Sequence, residues 1–153
     1  RIAPEFITEY KGSAACLIRV KDTLLTLQDR HSGSYDLPRG SALDNESAQC
    51  TAHRNTFIKT GFNVEVSQLL GISPSGEWIF ACTLDNGFDS SEDVIIPPNW
   101  VDKDVASIRF IDPLATRGNQ WQEADDLIVF RDGYVALGHV PFVSLEERPA
   151  VAQ

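Results

Sequence analysis

The sequence is poor in positive charge, in cysteine and in long apolar runs, and it contains no methionine. Thirteen lysines and arginines stand against 22 aspartates and glutamates in 153 residues, leaving a net charge of −9. Non-specific nucleic-acid binding is excluded by that balance, because phosphate contacts need a basic surface. Attachment to anionic membrane surfaces is disfavoured for the same reason. No apolar run approaches the length of a bilayer span, so no direct membrane insertion is expected. The chain begins at Arg1, so its start is expected to be a trimmed or processed one, which says little about a leader peptide. Serine-hydrolase elbows, phosphate-cradling P-loops and dinucleotide fingerprints are all missing.

Three cysteines, Cys16, Cys50 and Cys82, are too few and too scattered for a zinc site with paired-cysteine spacing. They read either as three small buried hydrophobes or as a Cys50–Cys82 disulfide tying a helix to a strand. The second alternative would imply an oxidising compartment; otherwise the compartment, cytoplasmic or periplasmic, is open.

What is present is ordinary globular composition, at a length suited to one compact domain. A lead-in strand is expected near residues 5–10. Residues 14–20 (AACLIRV) and 24–28 (LLTLQ) read as a hairpin turning at Lys21-Asp22-Thr23. His31 falls in a polar loop after it, as a solvated residue or, less simply, a phosphate contact. Strands follow at 64–72, 77–84 and 106–111, with the turn Ser73-Pro74-Ser75-Gly76 between the first two. Residues 77–84 (EWIFACTL) look apolar on both faces, as a central covered strand should. Residues 85–104 form an acidic loop. A second helix is expected over 120–132, capped by Asn119, with Trp121, Ala124, Leu127 and Ile128 facing the core and Asp132-Gly133 closing it. Residues 134–153 read as a strand-like patch and then a tail or linker. The domain is therefore placed at 1–140 and the tail at 141–153.

The most informative stretch is 35–62, YDLPRGSALDNESAQCTAHRNTFIKTGF. It reads as a strand, a glycine turn, a helix with N-cap oxygens at Asp44 and Asn45, and a stop at Thr60-Gly61. Glu46 is expected in the first turn, where the helix dipole favours an anion. Ala48 and Ala52 give one face small enough to lie close to a sheet, with Cys50 and Phe57 adding bulk beside it.

This stretch resembles the Nudix hydrolase signature, G-x5-E-x7-R-E-U-x-E-E-x-G-U, with U a bulky aliphatic residue. Gly40, Glu46, Arg54 and Gly61 fall on matching positions without a gap, and Phe62 fills the last apolar one. The preceding YDLPRG is similar to the family's W-x-x-P-G-G entry through Pro38 and Gly40. The resemblance implies a Nudix-type α/β/α sandwich, with a mixed β-sheet between two main helices. It implies hydrolysis of a nucleoside diphosphate linked to another moiety, with Mg (or Mn) as cofactor. E-S-A-Q-C is also similar to the boxes of bacterial Nudix domains joined to a membrane lipid phosphatase. That would make this chain one domain of a longer exported protein, with a fused or partner domain at its C-terminus.

The departures from the signature carry as much weight as the matches. The core R-E-U-x-E-E is here Arg54-Asn55-Thr56-Phe57-Ile58-Lys59. Glutamates at those positions would project from one helical face and hold a hard divalent cation, which helps activate the attacking water. Asn55 carries no charge, Ile58 cannot ligate, and Lys59 repels a cation. Hydrolysis is therefore expected to be weak or lost, the alternative being a non-catalytic ligand-binding or regulatory module. Carried over by position, Glu46 and Arg54 are the catalytic candidates and Glu46 the metal ligand. Arg39 and Gly40 are the substrate-binding candidates, with extra carboxylates sought at Glu77, Glu92 or Asp93. Arg54 could instead cap loop carbonyls or pair with Glu46. A third alternative, a domain that braces its neighbour, predicts an exposed apolar patch near Phe142 and Val143.

Overall fold

The computed structural model describes residues 1–2, 10–84 and 93–143, with the side chains of 139–143 left aside. The expected lead-in strand at 5–10, Asp85, Asp89 and Glu92 of the acidic loop, the side chains of His139, Phe142 and Val143, and the tail beyond lie outside the described residues, apart from Tyr10. That ring stacks on Trp78 with centroids 4.4 Å apart.

In chain order the strands are β1 (Ala14–Leu17), β2 (Arg19–Val20), β3 (Thr23–Asp29), β4 (Tyr35–Asp36) and β5 (Arg39–Gly40). Helix α1 (Ala48–Thr60) follows, then β6 (Glu65–Ile72), β7 (Trp78–Thr83), β8 (Val94–Ile95), β9 (Val105–Ile111) and helix α2 (Leu127–Val143). A mixed sheet runs β5-β1-β7-β6, with β1 and β7 parallel and the other pairs antiparallel. A second, antiparallel sheet runs β2-β3-β9-β8, with β4 also on β3. The residues of 85–104 that are described thus include a short edge strand, β8, and are not all loop.

Helix α1 packs on β1, β5, β6 and β7, whereas α2 packs on β1, β2 and β6. The pleat of β1 divides the core accordingly. Ala14 and Cys16 face the cluster that includes Ala48 and Ala52 of α1, while Ala15 and Leu17 face the one built on Leu127, Phe130 and Tyr134 of α2. Ile79, Phe80, Ala81 and Cys82 of β7 are all buried, as a strand covered on both faces requires. This is the α/β/α sandwich the resemblance implied.

Helix α1 starts later than expected. Asn45 has φ +61° and belongs to a turn closed by Glu46 N–H donating to Leu43 O, so neither Asp44 nor Asn45 caps the helix. Ser47 does, its Oγ accepting from Cys50 N–H at 3.1 Å, and Glu46 precedes the first turn. Gly61, at φ +84°, stops the helix as predicted. The buried face carries Ala48 and Ala52 but also Thr51, Asn55, Thr56 and Thr60. Their hydroxyls are satisfied within the helix: Thr51, Thr56 and Thr60 donate to the carbonyls of Ser47, Ala52 and Thr56. Cys50 and Phe57 point outward, contrary to expectation.

The second helix also departs from the sequence pattern. Residues 118–120 form a separate 3-10 turn, residues 124–126 a second one that runs directly into α2, and α2 begins at Leu127, where Asn119 plays no part as its cap. With that start, Leu127, Phe130 and Tyr134 face inward, leaving Ile128 and Ala124 exposed. Gly133 does not end α2 but lets it approach the sheet, since a Cβ there would lie 2.8 Å from Leu17 Cδ1. Residues 134–140, expected as a strand-like patch, instead continue α2, which runs on to Val143.

The disulfide joins Cys16 to Cys82, and Cys50 is free and exposed. The parallel register pairs Cys16 with Phe80, which sets Cys82 one pleat further along the neighbouring strand and on the same face. Cys50, on the outer face of α1, cannot reach it. The Cys50–Cys82 alternative is thereby overturned.

Candidate functional site

The box residues gather where the start of α1 meets the β5 turn. Arg54, two turns into the helix, donates from Nε to Glu46 Oε2 at 2.8 Å and from a terminal nitrogen to Glu46 Oε1 at 2.9 Å. That nitrogen also reaches Ser41 O at 2.9 Å, so both alternatives for Arg54, ion pairing and carbonyl capping, occur together. Glu46 accepts in addition from Leu43 N–H and Thr51 Oγ. Chiefly the Arg54 hydrogen bond, then those of Leu43 and Thr51, hold its carboxyl down at about 2 against some opposition from burial. Both oxygens of Glu46 are spent within the fold.

Asn55 is 8% exposed and lies over Gly40. A Cβ at Gly40 would fall 2.1 Å from Asn55 Oδ1, so glycine is required there by close packing. The Asn55 amide nitrogen donates to Thr51 O at 2.9 Å and to Ser41 O at 3.4 Å. Ile58 is exposed to solvent, and Lys59 is half-buried one turn beyond Asn55.

Arg39, a candidate substrate contact, is the centre of an ion-pair cluster. Its guanidinium, 11% exposed, donates to Asp36 at 3.1 Å, to Glu77 at 2.6 Å and to Asp126 at 2.7 Å. One arginine thus joins the β4–β5 entry, the start of β7 and the start of α2. Burial pushes the Asp36 carboxyl up to about 6, although Arg39 and the Leu37 N–H pull it the other way. Glu77, a candidate extra carboxylate, is committed to Arg39, and Asp93 is exposed near β8, where its backbone carbonyl accepts from Phe110 N–H.

Beside Arg39 opens a cleft of about 290 Å³, walled by Asp36, Arg39, Lys59, Asp102, Asp104 and Glu123 among others. A more apolar hollow of about 450 Å³ shares Asp102, Asp104 and Val105 with it and extends over Ile96, Pro97 and Pro98. His31 borders that hollow in the exposed loop, with Nε2 3.3 Å from Asp104 Oδ1. His53 meets Asn63 at 2.7 Å away from the cleft. Asp36, Asp126, Asp102 and Asp104 were missed in the sequence. Asp36 stands three residues before Arg39, a usable signal, but nothing local marks the others.

A divalent metal, implied by the box, does not fit the donors at its positions. An amide already donating, an isoleucine and a lysine replace the three glutamates, and the remaining carboxylate is doubly bound by an arginine. Among the described residues, no group of three or more His, Cys, Asp and Glu side chains is arranged to hold a metal ion.

No protein-family model matches the sequence, and no curated protein resembles it closely enough to serve as a relative. Solved structures do match in fold. A Nudix hydrolase from Nitrosomonas europaea superposes with TM-score 0.64 at 17% identity, over 90% of this chain and 80% of that one. An ADP-ribose pyrophosphatase from Streptococcus suis gives TM-score 0.65 at 16% identity, over 82% and 90%. An Ap4A hydrolase from C. elegans gives 0.58 at 15%, over 82% and 98%. The chain has the Nudix fold.

Proposed function

We propose that this domain binds a nucleotide-like diphosphate, a nucleoside diphosphate linked to another moiety, in the cleft beside Arg39 and hydrolyses it weakly or not at all. The observation that carries this reading is the closed Glu46–Arg54 pair beside Asn55 and Lys59, which leaves the box without an available carboxylate. Scaffold and cleft are retained while the cation-holding face is not. The relatives in fold include enzymes whose names specify ADP-ribose and Ap4A, which supports a nucleotide-like ligand class. Glu46 and Arg54 then act as a strut for the β5 turn, Arg39 forms part of the wall of the cleft, and Gly40 lets Asn55 pack against that turn.

The disulfide supports a further part of this reading, that the domain works in an oxidising compartment. Among the described residues no helix is long and apolar enough to cross a membrane.

The test compares wild type with the box-restoring variant N55E/I58E/K59E, using calorimetry with Mg²⁺ or Mn²⁺ and turnover of ADP-ribose. Wild type is expected to show no saturable metal site in the box and turnover near background, whereas the variant gains metal binding. Robust Mg-dependent turnover by wild type would overturn the reading.

A further inference from the structure

We infer that Lys59 is the anchoring cation of the cleft, meeting a phosphate of the ligand directly and without a metal ion. The inference rests on the reading that the cleft takes a diphosphate, and adds how it is held.

Two cations line the cleft, Arg39 and Lys59. Arg39 commits its Nε to Asp36 and one terminal nitrogen to Glu77 and Asp126, so its charge is met by three carboxylates. Lys59 is half-buried, and no hydrogen bond or ion pair to it is found among the described residues. Its ammonium offers three donors, and its charge is felt by Asp36 within the cleft. A lysine in the last turn of α1 also suits the helix dipole. That accounts for a cation in this turn but not for its standing in the wall of a cleft, four residues after buried Asn55.

The carboxylates around Lys59 are mostly engaged elsewhere. Asp29 accepts from the N–H groups of His31 and Ser32, Asp102 accepts from Asp104 N–H, and Asp104 faces His31. Asp36 is held by Arg39. Glu123 alone among them has no such partner among the described residues, and it is exposed at the rim. An incoming phosphate therefore finds in Lys59 the lining cation that no carboxylate pairs with among the described residues. At the box position that ordinarily holds a metal-binding glutamate, the chain itself supplies the positive charge.

The probe is inorganic pyrophosphate, the group common to ligands of this class, titrated by calorimetry in EDTA and again in Mg²⁺. A second readout is mass-spectrometric footprinting of lysines with an amine-acetylating reagent. Wild type should bind pyrophosphate in EDTA, and the ligand should shield Lys59 while Lys21 and Lys103 still react. Lys59→Gln should weaken binding roughly tenfold or more, the scale of losing a hydrogen bond to a charged group, and Lys59→Arg, which keeps the positive charge, should lose less than Lys59→Gln. Among the described residues Lys59 makes no hydrogen bond or ion pair, so both variants should stay folded and melt cooperatively close to wild type. Binding that needs Mg²⁺ and is unchanged in Lys59→Gln would overturn the role of Lys59 while leaving a diphosphate-binding cleft. No binding by wild type in either buffer would overturn the cleft reading and this inference together.

Discussion

Arg54 holds both carboxylate oxygens of Glu46, at 2.8 and 2.9 Å, across eight residues that include the N-cap of α1. The pair staples the Ser41 turn to the helix and so fixes the height of the β5 strand against α1.

Glu46→Gln keeps the shape of this contact but removes its charge. Arg54 is 30% exposed, so solvent screening holds the expected loss of folding stability to about 1 kcal/mol. The pH dependence has a definite sign. The folded carboxyl titrates near 2, below its ordinary 4.5, so its contribution is complete above about 4.5 and disappears as pH falls toward 2. Chemical denaturation at pH 7, 4 and 2.5 checks this: the gap between wild type and Glu46→Gln should close as the medium becomes acid.

Asp36 works in the opposite direction. Burial raises its folded pKa to about 6 from 3.8, so the native state takes up a proton before the unfolded chain does. Its ionised form is a liability above pH 6, and the protein should gain stability as pH falls from 8 to about 5. Asp36→Asn retains an oxygen for the Leu37 N–H but cannot titrate, so thermal melts of this variant should lack that gain. A wild-type melting temperature that declines steadily from pH 8 to 5 would contradict the assignment.

The Cys16–Cys82 bridge closes a sequence separation of 66 residues. Chain-entropy reasoning gives it a contribution of about 4 kcal/mol, with engineered and natural bridges often delivering about 2. Reduction, or Cys82→Ala, should lower the denaturation midpoint accordingly, while Cys50→Ala leaves it unchanged. Thiol titration should find one reactive group in the native oxidised protein, at Cys50, and three after reduction and unfolding.

The elements legible in the sequence were those whose signal is local. The two-sided apolar run at 77–84 announced a central strand, which is β7. The unbroken spacing from Gly40 to Gly61 announced α1 and the Nudix fold. The helical stop at Gly61 followed from the freedom of glycine at positive φ. Loss of the box glutamates was equally visible, since it is a matter of which atoms the side chains possess.

Other features depended on partners distant in sequence. Asn45, Ser47 and Glu46 compete for the start of α1, and the turn that Glu46 closes with Leu43 decides it. Gly133 reads as a stop until Leu17 is seen packed against it. Cys16 and Cys82 pair because β1 and β7 run parallel side by side, a register no spacing rule contains. Arg39 looked like a ligand contact, yet its three carboxylates come from β4, the turn before β7 and the 3-10 turn before α2. The scaffold and the carboxylates missing from the box could be read without coordinates, because both reside in local pattern and residue type. Which charges are spent on one another followed from the packed chain, because a charge is neutralised by its neighbours in space.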